Sequence, residues 1–373
     1  METKKFYERC GRMLRDVKEK RMGIKTACYK TEMPTKYMAV LSSILRRFDV
    51  LSRIVNALDF EIRSKWHAIV LCYEILYGNK REATQFNKKL TKKVKEVYKS
   101  LGIVEKEKKQ EDTTPAYLRI NTIKADESAI SSLAIERTII PNVYKVLEKV
   151  NWSKLKSYQD GLFFIQDLSS CLPAYVLKPA KNSIVVDACS APGNKTTHLA
   201  MLSPTSTIYA VEKDTERYKI LREMIEKSGA DNVITMNADF LGINKEAEEV
   251  FQAEYILVDP SCSGSGIHPG EEKDHERLNK LSAFQVKILL KTLSYPKVKK
   301  VVYSTCSIYE EENEAVVKQV LDACPGFVLE KALPLWNMRG VEGYEFSENV
   351  IRCNEETGTK GFFLASFVRK AEE

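Results

Sequence analysis

Two cysteine-containing strings hold the side chains of this chain that are best suited to covalent chemistry. One runs from Asp259 to Gly266 and contains Cys262, and the other is Thr305-Cys306-Ser307. Each follows a short apolar run rich in β-branched residues, which predicts that each cysteine lies just beyond the end of a strand. Parallel strands of an α/β sheet end at one edge, where ligands bind. Two thiols and a carboxylate there could perform nucleophilic catalysis, although single cysteines more often fill gaps in a core.

A second group of candidate residues follows three other predicted strands and suits a nucleotide-like cofactor. The turn Cys189-Ser190-Ala191-Pro192-Gly193-Asn194-Lys195 lacks the glycine spacing of a Walker A or dinucleotide-binding loop, but its small residues allow a ligand close to the backbone. Glu212 follows the next strand, where an acid commonly binds ribose hydroxyls. Asp239 follows the third and could accept a hydrogen bond from an adenine amino group. Acids at successive strand ends favour a neutral or cationic adenosyl ligand, and S-adenosylmethionine fits this description.

The elements that must position these residues alternate between strand and helix from residue 166 onwards. This alternation predicts an α/β domain with a doubly wound parallel sheet. The intervening helices include 215–227 and 278–292, and a closing strand is expected at 361–367. The other strand candidates are 184–188, 207–211, 233–236, 255–258 and 300–304.

The region before residue 166 has a different pattern. Apolar residues at helical spacing predict helices within 37–58 and 62–76, with a stop at Gly78-Asn79, and the polar run 105–114 predicts a linker. Strand-like pieces near 116–122, 143–147 and 162–165 then predict a small α+β unit. The expected domains are a basic helical domain at 1–110, an α+β unit at 111–165 and the α/β domain at 166–373.

The charge of the chain is unevenly distributed. The net charge is +7, yet residues 1–110 contain 27 Lys and Arg against 13 Asp and Glu, so the remainder is acidic. A basic domain indicates a polyanionic partner. The alternative is a solvated lysine-rich surface that binds no partner. The lysine-rich run 88–95 could be an RNA-facing stripe, a nuclear-import signal or a solvated helix face.

Several other classes of protein do not fit the sequence. Nothing resembles a signal peptide, and the longest apolar stretch, 66–77, is too short to span a bilayer and contains Glu74. The nine cysteines form no CxxC pair and, with four histidines, give no zinc spacing, so no metal site is predicted. A soluble intracellular protein with reduced thiols is expected.

Together, these strings resemble the Nop/Sun family of RNA cytosine-C5 methyltransferases over roughly residues 112–370. Two departures from the general family pattern indicate which branch of the family the sequence resembles. The cofactor turn reads Pro-Gly-Asn-Lys instead of Pro-Gly-Gly-Lys, and the first cysteine string reads Asp-Pro-Ser-Cys instead of Asp-Ala-Pro-Cys. Both variants are similar to the eukaryotic branch that modifies large-subunit ribosomal RNA. The matching pieces are 164–170, 187–196, Glu212, Asp239, 259–266, 305–307 and 361–367.

The resemblance implies an architecture, a cofactor and a role for each candidate residue. The α/β domain would be a Rossmann-like class I methyltransferase domain that uses S-adenosylmethionine, preceded by an RRM-like unit and the helical domain. Cys306 would be the nucleophile that adds to carbon 6 of cytosine, and Cys262 would assist loss of the carbon-5 proton and release of the RNA. Asp259 would hold the N3/N4 edge of the base, and Lys195 would reach the base or the methionine end of the cofactor.

The remaining implied roles concern binding. Residues 189–195 would bind the cofactor together with Glu212, Asp239 and Asp259. Arg119 and Asn121 match family positions in the small unit and would bind RNA. Because an attacked base must be unstacked, the target would lie in a single strand or be flipped out. The expected partners are large-subunit rRNA or pre-ribosomal particles, with no membrane, for a monomer in the nucleus or nucleolus, or else in the cytoplasm.

Three other functions are compatible with the sequence, and a fourth fits it less well. A DNA cytosine methyltransferase would use the cysteine after the fourth strand, Cys262, and would leave Cys306 unexplained. An rRNA-binding assembly factor could carry a dispensable activity, and the modified nucleic acid could be tRNA or another RNA. A small-molecule methyltransferase would need neither the paired thiols nor the basic extension.

Overall fold

The computed structural model describes residues 2–19, 21–58, 64–78, 88–102, 114–243, 249–267 and 273–371. The described residues fall into two compact units, one ending at residue 102 and the other beginning at residue 114. The expected linker at 105–114 lies almost wholly outside the described residues, as does Asn79 of the expected helix stop.

The first unit is built from helices around one apolar core. The helical pattern at 37–58 corresponds to two helices, which are separated at Arg46 and Arg47. This break lets Leu41 on one side and Leu51 on the other both become fully buried in the same core. The helices that the structure describes in this unit are α1 (Glu2–Lys18), α2 (Ile24–Tyr29), α3 (Pro34–Leu45), α4 (Phe48–Ala57), α5 (Lys65–Tyr77) and α6 (Lys88–Ser100).

Helix α6 contains the lysine-rich run and has two different faces. Leu90 and Val94 are buried on one face, whereas Lys88, Lys92 and Lys95 are exposed. The amines therefore lie on a solvated face of a helix that is held in place by its apolar residues.

The second unit begins with a four-stranded antiparallel sheet. Its strands lie in the order β2-β3-β1-β4, so that the first strand pairs with both the third and the fourth. Leu118, Ile120 and Phe163 are fully buried beneath it. The elements are β1 (Ala116–Ile120), β2 (Ile135–Arg137), β3 (Val143–Val146), α7 (Lys156–Gln159) and β4 (Phe163–Ile165).

The rest of the second unit is a larger sheet flanked by helices. The helices are α8 (Leu168–Leu177), α9 (Asn194–Leu202), α10 (Thr215–Ser228), α11 (His275–Leu293) and α12 (Glu314–Ala323). The strands are β5 (Ile184–Asp187), β6 (Thr207–Val211), β7 (Val233–Met236), β8 (Tyr255–Val258), β9 (Lys300–Thr305), β10 (Phe327–Leu329), β11 (Ile351–Cys353) and β12 (Phe362–Arg369). The strands expected at 184–304 are thus present to within one residue.

The larger sheet is mixed rather than wholly parallel, which corrects the sequence-based expectation. Strands β5 to β9 are parallel neighbours in the order β9-β8-β5-β6-β7, but β12 pairs antiparallel with β9, and β10 and β11 pair antiparallel with β12. Helix α12 forms the crossover from β9 to β10, and the chain from β10 to β12 contains no further α-helix, so β12 lies between β10 and β9 in the opposite direction. The alternation of strands and helices could not reveal this direction.

The central strands are buried on both faces of the sheet. In β8, Ile256 and Val258 lie in one apolar core with residues of α11 and α12, whereas Leu257 lies in the opposite core with residues of α8 and α9. A strand that is covered on both faces has a continuous run of apolar residues. The sequence therefore predicted these strands. Among the described residues, no helix is both long and apolar enough to traverse a bilayer.

Candidate active site

The two cysteine segments leave neighbouring parallel strands at the same edge of the sheet. Val258 of β8 is in register with Tyr303 of β9, so the chain beyond each strand enters the same space. The sulfur atoms of Cys262 and Cys306 lie 3.2 Å apart. Two thiols that are 44 residues apart in the chain therefore lie next to each other.

Glycines bring the backbones of these segments together. The N–H of Gly266 donates to the carbonyl of Cys306 at 3.0 Å, and the N–H of Gly361 donates to the carbonyl of Gly266 at 3.1 Å. A β-carbon on either Gly266 or Gly361 would clash with the backbone of the other glycine. Gly266, which ends the Ser-Gly-Ser-Gly string, and Gly361, which precedes β12, are thus required by packing beside the sulfur atoms.

Asp259 is held between the two strands and the cofactor turn. Its Oδ2 accepts a hydrogen bond of 2.7 Å from Nζ of Lys195, and its Oδ1 accepts one of 2.8 Å from Oγ of Ser304. The Asp259 side chain is 28% exposed and that of Lys195 is 14% exposed. Both groups are fixed in orientation and remain partly accessible to a ligand.

The predicted cofactor turn lies between β5 and α9. Gly193 has φ of +108° at the N-cap of α9, a conformation in which a side chain is strained, and its added β-carbon would lie 3.0 Å from Met224. The peptide bond between Ala191 and Pro192 is cis. Ser190 bonds through its N–H and hydroxyl to the carbonyl of Val211, at 3.0 and 2.9 Å, which anchors the turn to β6.

The aspartate that ends β5 lies beneath this turn. Asp187 is buried, its Oδ2 accepts a 2.7 Å hydrogen bond from Thr196, and its Oδ1 has no hydrogen-bond donor among the described residues. Burial raises the pKa of Asp187 from 3.8 to about 7, and the nearby Asp259 carboxylate also raises it. Burial likewise raises the pKa of the Cys189 thiol well above its ordinary value, which keeps that thiol neutral.

Glu212 retains capacity to bind a ligand. Its Oε1 accepts a 2.9 Å hydrogen bond from the N–H of Asp214. Its Oε2 is buried, accepts no hydrogen bond from the described residues and lies 3.3 Å from Nη1 of Arg217. A buried acceptor with spare capacity at the end of β6 fits a ribose hydroxyl.

Asp239 lies at the end of β7 and is more exposed. It accepts hydrogen bonds from the N–H of Leu241 at 3.1 Å and from Nζ of Lys213 at 2.7 Å. The hydrogen bond from Lys213 lowers the pKa of Asp239, so the carboxylate is charged. With Glu212, it forms a row of acids along the sheet edge that fits an uncharged or cationic adenosyl group and disfavours a triphosphate.

Arg119 and Asn121 do not lie where RNA could contact them, which contradicts their predicted role. Both are fully buried. The guanidinium of Arg119 donates to Gln166 at 2.8 Å, to Thr197 at 2.8 Å and to the carbonyl of Asn194 at 3.2 Å. Strand position alone could not distinguish a solvent-facing arginine from one that points into the protein.

Asn121 also has its hydrogen bonds inside the protein. Its Nδ2 donates to the carbonyls of Gly161 and Ser228, both at 2.8 Å. Arg119 and Asn121 thus tie the smaller sheet to α9 and α10.

Two residues with contacts to the candidate site were missed by sequence reasoning. Ser304 bonds Asp259, and Arg217 pairs with Glu212 and donates a 2.6 Å hydrogen bond to the carbonyl of Ala191. Ser304 directly precedes the Thr-Cys-Ser string and could have been noticed as a strand-end hydroxyl. Arg217 lies in the first turn of α10, and only the tertiary structure places it against the cofactor turn. Among the described residues, no cluster of His, Cys, Asp and Glu could hold a metal ion.

Comparison with known proteins places this chain in a family. The model of the family described as 16S rRNA methyltransferase RsmB/F matches residues 174–368, which is more than half of the chain. The chain belongs to this family. Its cofactor is S-adenosylmethionine, which the acids at the ends of β6 and β7 fit.

Two curated relatives resemble this RsmB/F family member over most of its length. The 25S rRNA (cytosine-C(5))-methyltransferase NSUN5 of Arabidopsis thaliana is 35% identical over an alignment 375 residues long. The alignment covers 90% of this chain and 64% of the relative. The 25S rRNA (cytosine-C(5))-methyltransferase rcm1 of Schizosaccharomyces pombe is 33% identical over an alignment 425 residues long. The alignment covers 99% of this chain and 92% of the relative. The chain therefore spans slightly less than two thirds of the Arabidopsis protein.

A solved structure shows the same fold. The crystal structure of a methyltransferase homologue from Pyrococcus horikoshii is 25% identical to this RsmB/F family member, with a TM-score of 0.61. The match covers 86% of this chain and 99% of that one. The mixed sheet described above is therefore the sheet of a class I methyltransferase.

Proposed function

We propose that this protein transfers a methyl group from S-adenosylmethionine to carbon 5 of a cytosine in large-subunit rRNA. The observation that carries the proposal is the 3.2 Å separation of the Cys262 and Cys306 sulfur atoms beside Asp259 and Lys195. One thiol would suffice to fill space, but two thiols with a fixed carboxylate supply a nucleophile, a second proton-transfer group and a partner for the base. The names of the Arabidopsis and fission-yeast relatives support the choice of RNA.

The reaction begins at Cys306. Its thiolate adds to carbon 6 of the cytosine, and the new carbon–sulfur bond makes carbon 5 nucleophilic. Bound S-adenosylmethionine supplies an electrophilic methyl group. Cys262 then assists removal of the carbon-5 proton, the ring double bond re-forms, and the carbon–sulfur bond to Cys306 breaks to release the RNA.

Asp259 and Lys195 act on the base in this proposal. A carboxylate has about four acceptor positions, so Asp259 can keep its bonds to Lys195 and Ser304 and still accept from the N4 amino group of cytosine. A fixed base edge orients carbon 6 towards the nucleophile. Residues 189–195 with Glu212 and Asp239 would hold the cofactor on the adjacent part of the sheet edge.

We also infer that the two N-terminal parts bind RNA. The basic domain at 1–110, with the lysine face of α6, would hold phosphates, and residues 111–165 would be an RRM-like unit that guides a single strand. The strand order β2-β3-β1-β4 supports the second assignment. We further propose that the protein acts as a monomer on rRNA or pre-ribosomal particles in the nucleolus.

Bisulfite sequencing of cellular RNA with and without the protein tests the proposed function. We expect one protected large-subunit rRNA cytosine to lose protection in its absence and to regain it with the wild-type protein but not with Cys306→Ala. Loss of protection in tRNA alone would overturn the choice of rRNA. An unchanged pattern in all RNA would overturn cytosine methylation itself.

A further inference from the structure

We propose that Glu312 is a positioning residue that holds the Cys262 segment at its working distance from Cys306. The inference rests on the proposed function, because it assigns a role to the geometry of the same two thiols. Glu312 lies in a 3₁₀ turn, Glu310–Glu312, just before α12, and it is fully buried.

The carboxylate of Glu312 binds the segment around Cys262. Its Oε1 accepts hydrogen bonds from the N–H of Ser263 at 2.9 Å and from Nε2 of Gln285 at 3.0 Å, and its Oε2 accepts one from the hydroxyl of Ser263 at 2.6 Å. The same Gln285 amide donates to the carbonyl of Ser261 at 3.1 Å. The residues on both sides of Cys262 are therefore held by one carboxylate and its amide partner.

The same residue is also connected to the Cys306 segment. Its backbone carbonyl accepts a 2.6 Å hydrogen bond from the hydroxyl of Tyr303 in β9. The hydroxyls of Ser263, Ser265 and Ser307 lie 3.1 Å from one another and form a serine cluster. Because Ser263 and Ser307 each directly follow a cysteine, this cluster couples the two Cys-Ser pairs and ends on the Glu312 carboxylate.

Burying a carboxylate lowers the stability of the folded protein unless ion pairs or hydrogen bonds compensate its charge. Among the residues that the structure describes, no Lys or Arg side chain forms an ion pair with Glu312, and three hydrogen-bond donors satisfy it instead. Two of those donors belong to Ser263. The Glu312 carboxylate therefore holds mainly the Cys262 segment in place.

Cys306 has anchors that do not involve the Glu312 carboxylate. It follows β9 directly, and Asn313 bonds its neighbours, accepting from Thr305 at 2.6 Å and donating to the carbonyl of Ser307 at 3.0 Å. The Cys262 segment belongs to no strand or helix. Loss of the Glu312 carboxylate should therefore displace Cys262 while leaving the nucleophile in place.

This asymmetry predicts a specific defect. With Cys262 displaced, Cys306 still adds to the base, but proton removal at carbon 5 and breakage of the carbon–sulfur bond become slow. The covalent protein–RNA adduct should accumulate in Glu312→Ala, as it should in Cys262→Ala. A defect that was merely structural would lower the yield or stability of the protein without trapping the adduct.

The test compares full-length variants on unmethylated large-subunit rRNA with S-adenosylmethionine. For Glu312→Ala we expect kcat to fall about 10- to 100-fold, the cost of a misplacement of about 1 Å, with little change in the KM for the cofactor. Denaturing electrophoresis should show the adduct. Glu312→Gln keeps a carbonyl acceptor for Ser263 and Gln285, so its kcat should lie between those of the wild type and Glu312→Ala. If the alanine variant does not fold, the glutamine variant provides the test.

Glu314→Gln is the matched control. Glu314 is as deeply buried, but its carboxylate pairs with Arg352 at 2.6 Å and accepts from the N–H of Val341 at 3.1 Å. This variant should lose thermal stability without trapping the adduct. Equal behaviour of the Glu312 and Glu314 variants, or normal turnover in Glu312→Ala, would overturn the inference. Absence of an adduct with Cys262→Ala would instead overturn the proposed chemistry, and with it this role.

Discussion

Nζ of Lys195 lies 2.7 Å from Oδ2 of Asp259, so the first turn of α9 is bonded to the segment that carries Cys262. This pair connects the residues that follow β5 with those that follow β8, two strands that are neighbours in the sheet. The cofactor turn and the thiol pair are thereby held in one fixed arrangement.

Replacing Lys195 with Met should lower kcat about 100-fold with little loss of stability. The variant keeps a straight aliphatic side chain but removes the amine, which orients Asp259 and lies 5.6 Å from the centre of the Phe362 ring. Radiolabelled methyl transfer measures the effect. Lys280→Met, which breaks only an exposed pair with Glu276, is the control and should be unaffected. Equal rates for the two variants would remove Lys195 from the reaction.

The two cysteines should give opposite phenotypes. Cys306→Ala should abolish methylation and form no adduct, because no thiolate remains to add to carbon 6. Cys262→Ala should accumulate an adduct that survives denaturing electrophoresis. Both should bind S-adenosylmethionine as the wild type does in calorimetry. An adduct with Cys306→Ala and none with Cys262→Ala would reverse the two roles.

Glu212→Ala should weaken S-adenosylmethionine binding about 10- to 100-fold, since a hydrogen bond to a charged acceptor contributes about 1.5–3 kcal/mol. Isothermal calorimetry with the full-length chain measures the affinity. Glu216→Ala, an exposed acid in the next helix, is the control. An unchanged affinity in Glu212→Ala would show that this carboxylate does not hold the ribose.

Arg119→Met should destabilise the protein by about 2–5 kcal/mol without changing the salt dependence of RNA binding, because the buried guanidinium contacts only protein groups. Lys95→Ala on the exposed face of α6 should do the reverse, leaving the melting temperature unchanged and reducing the salt slope by about 1. Chemical denaturation and filter binding at several salt concentrations separate the two. A smaller salt slope in Arg119→Met would restore it as an RNA contact.

Asp187 should make stability fall as pH rises through the weakly acidic range. Because burial raises its pKa from 3.8 to about 7, its stabilising contribution is complete below pH 3.8 and is lost by about pH 7. Asp187→Asn does not titrate, so its free energy of unfolding relative to wild type should increase with pH, by at most about 1.4 kcal/mol per unit. Urea denaturation at pH 4, 5.5 and 7 measures this trend.

Asp126→Asn is the control for this pH series. Asp126 is exposed, and its pKa is lowered by a hydrogen bond from Ser128, so its contribution changes only below its ordinary pKa. It should show no trend between pH 4 and 7. A flat difference for Asp187→Asn would mean that this carboxyl titrates normally.

Much of the α/β domain was predictable because its strands are buried on both faces and read as uninterrupted apolar runs, as in β6 and β8. The ends of such strands place Glu212, Asp239 and the two cysteine segments at one edge, whatever the details of packing. The apolar period within 37–58 predicted helical structure correctly but did not locate the break at Arg46 and Arg47, because such a period reports which residues are buried, not where the chain turns between two helices.

Strand ends and motif chemistry are local properties, so the side chains that gather at this edge of the sheet could be identified from the amino-acid sequence. The antiparallel direction of β12, the burial of Arg119 and Asn121, and the contacts of Glu312 with Ser263 are visible only in the folded structure. Those features depend on which distant segments meet, because hydrogen bonds between residues 40 or more positions apart leave no periodicity in the chain that forms them.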